Sequence, residues 1–190
     1  MAGRRLALLA VVLLGAGCGS SNPRLELVDL DEQTLTPLDD QDSRASVFFF
    51  TSVDCPVSNR YAPEVERLHA EYADENVAFW LVYPNPAETP EAIRKHLQDY
   101  AYNLGVLRDM EHRLVNRAGV SVTPEVAVFV PPGRLVYRGR IDNRYVDFGK
   151  ARAQPTTHDL EDVLRAVVAG KSVTPRFTEA IGCYISDMRL

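Results

Sequence analysis

Phe48-Phe49-Phe50-Thr51-Ser52-Val53-Asp54-Cys55-Pro56-Val57-Ser58-Asn59-Arg60-Tyr61-Ala62-Pro63 reads as a strand, a turn and a helix in one stretch. Ser46–Thr51 is an unbroken aromatic and β-branched run, without the alternation of a half-exposed strand, so both of its faces should be buried. Ser52-Val53-Asp54 forms a turn, and Cys55 opens the next helix. Pro56 fits the first helical position, where no backbone N–H is needed. Tyr61, Val65, Leu68 and Tyr72 fall on one helical stripe. Pro63 should kink that helix, because its ring lacks a donor and crowds the preceding turn.

A thiol at the junction of buried strand and helix start is in a place that favours the thiolate. The free N–H groups of the first turn and their partial positive charge lower its pKa. Ser58, one turn on, can face the sulfur, and Arg60 adds a nearby positive charge. Asp54 acts in the opposite direction. The competing reading of Cys55 is a buried structural cysteine.

Working outward, the same alternation of strand and helix continues. Leu25, Leu27 and Leu30 with Thr34–Leu38 suggest a hairpin. Val77–Tyr83 is a second buried strand. Thr89-Pro90 starts a helix carrying Ile93, Leu97 and Tyr100. Leu104–Leu107 fits a short strand, and Asp109 caps a brief helix that ends at Gly119. Val126–Val130 and Arg134–Ile141 form a hairpin through Pro131-Pro132-Gly133. Thr157 is expected to cap a last helix ending at Gly170. Early strands joined by helices should be parallel, and the closing hairpin antiparallel. The expected fold class is α/β, with a central mixed sheet flanked by helices and an N-terminal β-hairpin.

The composition excludes several functions. The chain has 190 residues, 46% hydrophobic and 25% charged, unlike a disordered, collagen-like or multi-span membrane chain. Its net charge of −5 argues against nucleic-acid binding, which needs a basic footprint. Three cysteines, Cys18, Cys55 and Cys183, are too few for a disulfide scaffold. Arg4 and Arg5 precede the apolar run Leu6–Leu14, which falls short of the roughly 20 residues that span a bilayer. Residues 1–17 therefore read as a signal peptide. Leu14-Gly15-Ala16-Gly17-Cys18 resembles a bacterial lipobox, with Gly15 where Leu is usual. The resemblance implies lipidation at Cys18, a lipid membrane anchor and a cell-envelope location facing the periplasm or exterior. An ordinary secretory signal is the alternative. Residues 18–24 read as a tether, 25–175 as the domain and 176–190 as a tail carrying Cys183.

Phe48–Leu68 resembles the active-site strand and helix of the redoxin families, which include peroxiredoxins and thioredoxin-like lipoproteins of cytochrome maturation. Pro63 matches their helix-kinking proline. Val122-Thr123-Pro124, just before the late strand, resembles the cis-proline signature of the thioredoxin-like fold. The resemblance implies that backbone at Thr123 and Pro124 lies beside Cys55 and holds substrate. It implies thiol–disulfide exchange or peroxide reduction without a cofactor or metal, with a protein or small-molecule disulfide or peroxide as substrate and an external thiol as reductant. Two departures matter. Cys55-Pro56-Val57-Ser58 lacks the second cysteine of a Cys-x-x-Cys pair. The peroxiredoxin pattern Pro-x-x-x-Thr/Ser-x-x-Cys finds Ser52 at its hydroxyl position but Phe48 in place of proline.

Cys183 lies 128 residues beyond Cys55. Its position resembles the distant resolving cysteine of two-cysteine peroxiredoxins. Three readings are open: a redox-active partner for Cys55, a static disulfide that ties down the tail, or two unpaired thiols. A copper-handling or assembly module on the same fold is a further alternative, since soft thiolates suit Cu(I). Other residues carry less. His69, His96, His112 and His158 show no metal-ligand spacing and read as solvated or capping. Arg138, Arg140, Arg144 and Lys150 read as a solvated strand face. Tyr61 and Trp80 read as core.

Overall fold

The computed structural model describes residues 24–185. The leader, Cys18 and the expected tether up to residue 23 lie outside the described residues. Strands β1 (Leu27–Val28) and β2 (Thr34–Leu35) form the expected hairpin. β3 (Ala45–Phe50) is buried at every position. The helix that follows is broken in two, α1 (Pro56–Arg60) and α2 (Ala62–Glu71), with Tyr61 between them. Pro63 accounts for the break: its nitrogen cannot donate to the Asn59 carbonyl. The chain restarts at Tyr61, whose carbonyl accepts from Glu64 and Val65.

β4 (Val77–Tyr83) leads to α3 (Pro90–Asp99), where Thr89 Oγ1 accepts from the Ala92 N–H at 3.2 Å. β5 (Gly105–Arg108) leads to α4 (Arg113–Ala118). Asp109 caps α4 from a distance, accepting from the N–H groups of Arg113 and Val115 at 2.7 and 2.8 Å. β6 (Val122–Thr123) is followed by β7 (Glu125–Val130) and β8 (Arg134–Gly139). A small hairpin, β9 (Tyr145–Asp147) with β10 (Lys150–Ala151), precedes α5 (Asp159–Val168). The last strand is β11 (Cys183–Tyr184).

Thr157 is not the cap of α5; that position belongs to His158. Thr157 is held elsewhere, its N–H donating to Asn143 Oδ1 and its carbonyl accepting from the Asn143 N–H. The histidines also depart from expectation. His96 and His112 are buried, and although His112 and His158 stand at the N-cap positions of α4 and α5, neither side chain makes a capping hydrogen bond.

The main sheet runs β2-β1-β5-β4-β3-β7-β8. β3, β4 and β5 are parallel neighbours, while β7 and β8 run antiparallel to complete a mixed sheet. Alternate residues of β3 serve two cores. Val47 and Phe49 join Val65, Leu68, Leu81 and Leu164 on the α2 and α5 side. Phe48 and Phe50 join Val82, Leu107, Leu114 and Phe129 on the α4 side. Burying one such phenylalanine contributes about 1.5–3 kcal/mol. The unbroken apolar run of this strand follows from its having no solvent face.

The register then builds the site. Phe50, last in β3, pairs antiparallel with Glu125, first in β7. The residues after β3 and those before β7 therefore leave the sheet side by side. Cys55 follows the one, and Thr123-Pro124 precede the other. The tail comes to the same place. The Arg138 N–H donates to the Arg176 carbonyl, and the Thr178 N–H to the Arg138 carbonyl, so residues 176–178 run along edge strand β8. β11 then pairs antiparallel with β6, Cys183 opposite Thr123 and Tyr184 opposite Val122.

Candidate functional site

Cys55 is the N-cap residue of α1, and its side chain is 2% exposed. Its sulfur lies 3.0 Å from the Thr123 carbonyl oxygen and 2.9 Å from the Cys183 sulfur. Both cysteines are free thiols. A bond of about 2.05 Å would need a sulfur displacement of under ~1 Å. Pro56 sits at the start of α1, as expected, and the Thr123-Pro124 bond is cis.

The two thiols differ in acidity. Burial pushes Cys55 up, but contacts from Cys183, from the hydroxyl and N–H of Ser58 and from Thr123 outweigh it, leaving Cys55 below the usual thiol value. Cys183, Ser58 and the Thr123 side chain lower the value in that order, whereas the Thr123 carbonyl beside the sulfur accepts from S–H and works against the thiolate. Ser58 Oγ is buried without a hydrogen bond of ordinary geometry, which leaves it free to turn towards the sulfur. Cys183 is pushed up to about 12, by burial first and then by the hydrogen bond and charge of Cys55. One site therefore holds a thiol whose pKa is lowered beside one whose pKa is raised.

Other expected site residues fall differently. Arg60 is exposed, and neither it nor Asp54 ranks among the largest influences on Cys55. Ser52 does not turn its hydroxyl to the sulfur. It donates to Glu88 Oε1 at 2.6 Å, because a buried carboxylate is the stronger acceptor. The Cys55 N–H donates instead to the Ser52 carbonyl at 3.2 Å.

Residues that the sequence did not single out hold the site in place. Glu88 Oε1 also accepts from the Val53 N–H at 2.9 Å, so one carboxylate fixes the turn before Cys55. Burial raises the Glu88 carboxyl above the usual range. Asn59 Nδ2 donates to the Val53 carbonyl at 3.1 Å, and its Oδ1 lies 2.8 Å from His96 Nε2. That amide orientation makes Nε2 the protonated nitrogen and leaves Nδ1 to accept from Tyr83 OH, 2.8 Å away. Burial, against the charges of Asp99 and Asp54, keeps the His96 pKa low, in keeping with a neutral ring. Glu125 shapes the other wall: Oε2 accepts from the Ser121 N–H at 3.0 Å and closes the loop carrying Thr123-Pro124. An acidic residue in the loop after β4 was the available signal for Glu88, since that loop opens at the same sheet end as Cys55.

The four basic residues read as a solvated face each have an acidic neighbour: Arg138 with Glu125, Arg140 with Asp159, Arg144 with Asp142 and Lys150 with Asp147. Tyr61 is core, as expected, with its hydroxyl donating to Asp142 Oδ1 at 2.5 Å. Among the described residues, the one cluster of three potential metal ligands is Glu64, His158 and Glu161, away from the cysteines. Both of its carboxylates are already paired with Arg67. Beside the cysteines, a groove of about 480 Å³ runs between the β9–β10 turn and the tail, with Val122, Phe148 and Cys183 in its lining.

Comparison with solved structures gives the fold a wider context. The chain is 27% identical to a hypothetical protein from Sinorhizobium meliloti, covering 85% of this chain and 89% of that one at a TM-score of 0.73. An uncharacterized conserved protein from Geobacillus kaustophilus is 24% identical, with 88% and 90% covered and a TM-score of 0.76. A secreted disulfide oxidoreductase from Mycobacterium tuberculosis, 18% identical, covers 77% of this chain and 96% of its own at a TM-score of 0.53. These likenesses establish the thioredoxin-like fold. No curated protein matches the chain. The AhpC/TSA family model matches residues 18–138, more than half of the length. The chain thus belongs to the AhpC/TSA family of redoxins and carries, in the broad sense, a thiol redox function.

Proposed function

We propose that the protein is a thiol–disulfide oxidoreductase with Cys55 as nucleophile and Cys183 as resolving cysteine. The observation that carries this reading is the 2.9 Å approach of two sulfurs with opposite acidity. In the first step the Cys55 thiolate attacks one sulfur of a substrate disulfide. That bond breaks, the other substrate sulfur leaves as a thiolate and takes up a proton, and a mixed disulfide remains on Cys55. Cys183 then loses its proton and attacks the Cys55 sulfur. The second substrate thiol is released, and the Cys55–Cys183 disulfide forms. The substrate gains two electrons from the protein's two sulfurs and two protons, one lost by Cys183 and one drawn from solvent in place of the proton the Cys55 thiolate had already released. Thr123 and Pro124 line the approach and position the substrate. Cys55 is uncovered when β11 lifts from β6, a ladder of only two residue pairs. Cleavage before Cys18 and lipidation there would hold the domain at the cell envelope.

A hydroperoxide is the second reading, and the 2% exposure of Cys55 favours it: a small oxidant needs less room than a protein disulfide. The thiolate would take one peroxide oxygen and become a sulfenic acid, releasing water or an alcohol. Cys183 would then displace the hydroxyl as a second water. Steady-state reduction of insulin disulfides and of hydrogen peroxide, with dithiothreitol as reductant, tests both readings. The Cys55→Ser variant, its fold checked by circular dichroism, should lose about a hundredfold or more in whichever turnover the protein has. Unchanged turnover of both substrates would sink the assignment.

A further inference from the structure

We propose that the cavity between the end of α5 and the β7–β8 hairpin seats the phosphate headgroup of an anionic phospholipid, so that this end of the domain lies on the membrane and the cysteines face away from it. The inference rests on the Cys18 anchor proposed above and adds which surface meets the lipid. The first ground is charge. Arg44, Arg134, Lys171 and Arg176 ring a cavity of about 320 Å³. All four are exposed, and among the described residues none is paired with a carboxylate. The remaining side chains of the lining are four valines and Ser172, which offers a hydroxyl. The acidic residues nearby in sequence do not neutralise the rim. Asp39 is taken by Arg24, Asp40 turns to Ser43, and Asp42 stays outside the lining.

The exposed carbonyls at the end of α5 explain one of these cations. Arg44 Nη1 donates to the Val168 carbonyl at 2.8 Å. The side chains of Arg134, Lys171 and Arg176 have no such partner among the described residues. Arg117 adds a further positive charge at this end, where it donates to the Gly133 carbonyl at 3.2 Å. Cations gathered around a hollow repel one another until an anion enters. Phosphate oxygens suit guanidinium groups in particular, since each can take paired hydrogen bonds.

The second ground is position. Arg44 directly precedes β3 and Cys55 follows its far end, so the cavity sits about 20 Å from the cysteines along the strand. The chain enters the domain at the cavity end. Arg24 pairs with Asp39 at 3.1 Å. Leu38, next to Asp39, packs by the hairpin turn, where a Cβ on Gly133 would lie 3.8 Å from Leu38 Cβ. Gly133 directly precedes Arg134. Arg24 comes six positions after Cys18, a reach of at most roughly 20 Å. A lipid on Cys18 therefore brings the basic end close to the bilayer. A soluble phosphate would meet the same charges, but the tether gives the headgroup the higher local concentration.

The test uses the full chain, expressed in bacteria, extracted from the membrane fraction and reconstituted into vesicles. Intact mass first shows whether Cys18 carries lipid. Its absence would defeat the anchor reading and this inference with it. With the lipid present, acylation of Lys171 by a water-soluble amine reagent is followed by peptide mass spectrometry. Lys95, 72% exposed on α3, is the internal control. Lys171 should react about fivefold more slowly on equimolar phosphatidylglycerol and phosphatidylcholine than on phosphatidylcholine alone, with Lys95 unchanged. Raising salt from about 0.05 to about 0.5 M should abolish the difference. Arg134→Glu with Arg176→Glu, both at exposed positions, should return Lys171 to within about twofold of its rate on phosphatidylcholine. Where that double variant fails to fold, the salt series on the unaltered protein decides. Equal rates on both vesicles, or equal protection of Lys95, would overturn the inference and leave the anchor intact. So would protection on phosphatidylcholine by inorganic phosphate or glycerol phosphate, which would make the cavity a site for soluble anions.

Discussion

Cys55 and Cys183 meet at one point but are mounted in different ways. Cys55 follows a central strand with both faces buried, and its turn is pinned by Glu88 on one side and by Asn59 with His96 on the other. Cys183 sits on a two-residue strand at the end of a tail laid over the domain surface. The first mount fixes a nucleophile, because its position is shared with the fold's own core. The second can be released and replaced at little cost to the fold. A resolving group must approach and withdraw within each cycle, and the tail supplies that movement without disturbing the thiolate.

The largest break in this comparison comes from Gly182. A Cβ at that position would overlap the Thr123 carbonyl, which β11 must approach in order to pair. Gly182→Ala should therefore push the tail off β6. The Cys55–Cys183 disulfide should form about a hundredfold more slowly, since a fixed neighbour becomes a wandering one. Thermal stability should fall by no more than about 1 kcal/mol, as the tail is largely outside the core. Quenched-flow alkylation after a diamide pulse gives the rate. An unchanged rate would mean that β6 does not place Cys183. The same closeness recurs upstream, where a side chain on Gly139, at φ 153°, would run into Thr178. The tail's path thus depends on two glycines.

The two mounts also differ in how far the sequence disclosed them. β3 was legible because a strand buried on both faces cannot hide its composition, and the break near Pro63 because a missing N–H leaves a helix few choices. Register carries Thr123-Pro124 to Cys55, and it follows once β3 and β7 are paired. The seating of the tail was not legible. β11 has two residues, and its partner lies 60 positions away, so no local pattern announces the pair. Ser52 was misassigned for a related reason: its hydroxyl had two possible acceptors, and the one it uses belongs to a loop 36 residues on. Thr157 reads as a helix cap by residue type, yet Asn143 claims its backbone. Local propensity fails where a distant polar group offers a better bond.

A gentler change sharpens the contrast in acidity. Cys183 is the strongest of the contacts that lower the Cys55 pKa. Cys183→Ala removes that donor, so the Cys55 pKa should rise towards the ordinary thiol value of about 8.5. Thiolate absorbance at 240 nm across a pH titration reads it directly. A midpoint that stays in place would assign the shift to Ser58 and the start of α1 instead, and the two thiols would then be independent.

The smallest expected effect concerns the carboxylate beneath the nucleophile. Burial raises the Glu88 pKa in the fold, against the hydrogen bonds from Ser52 and Val53. The fold thus favours the protonated acid. The stability this contributes is fully present below the unfolded value of about 4.3 and is lost as pH climbs through the folded one. Once the pH exceeds that folded value the group is a buried anion with one oxygen, Oε2, lacking any partner. Glu88→Gln keeps the acceptor that Ser52 and Val53 use and removes the charge. The melting temperature should rise by about 2 °C at pH 8 and change little at pH 4. Turnover should stay within about twofold, because the turn before Cys55 keeps its anchor. Equal stabilisation at both pH values would show that packing, not the buried charge, sets the energy of this anchor. A loss of turnover at full stability would instead assign the carboxylate itself a part in moving protons to or from the thiols.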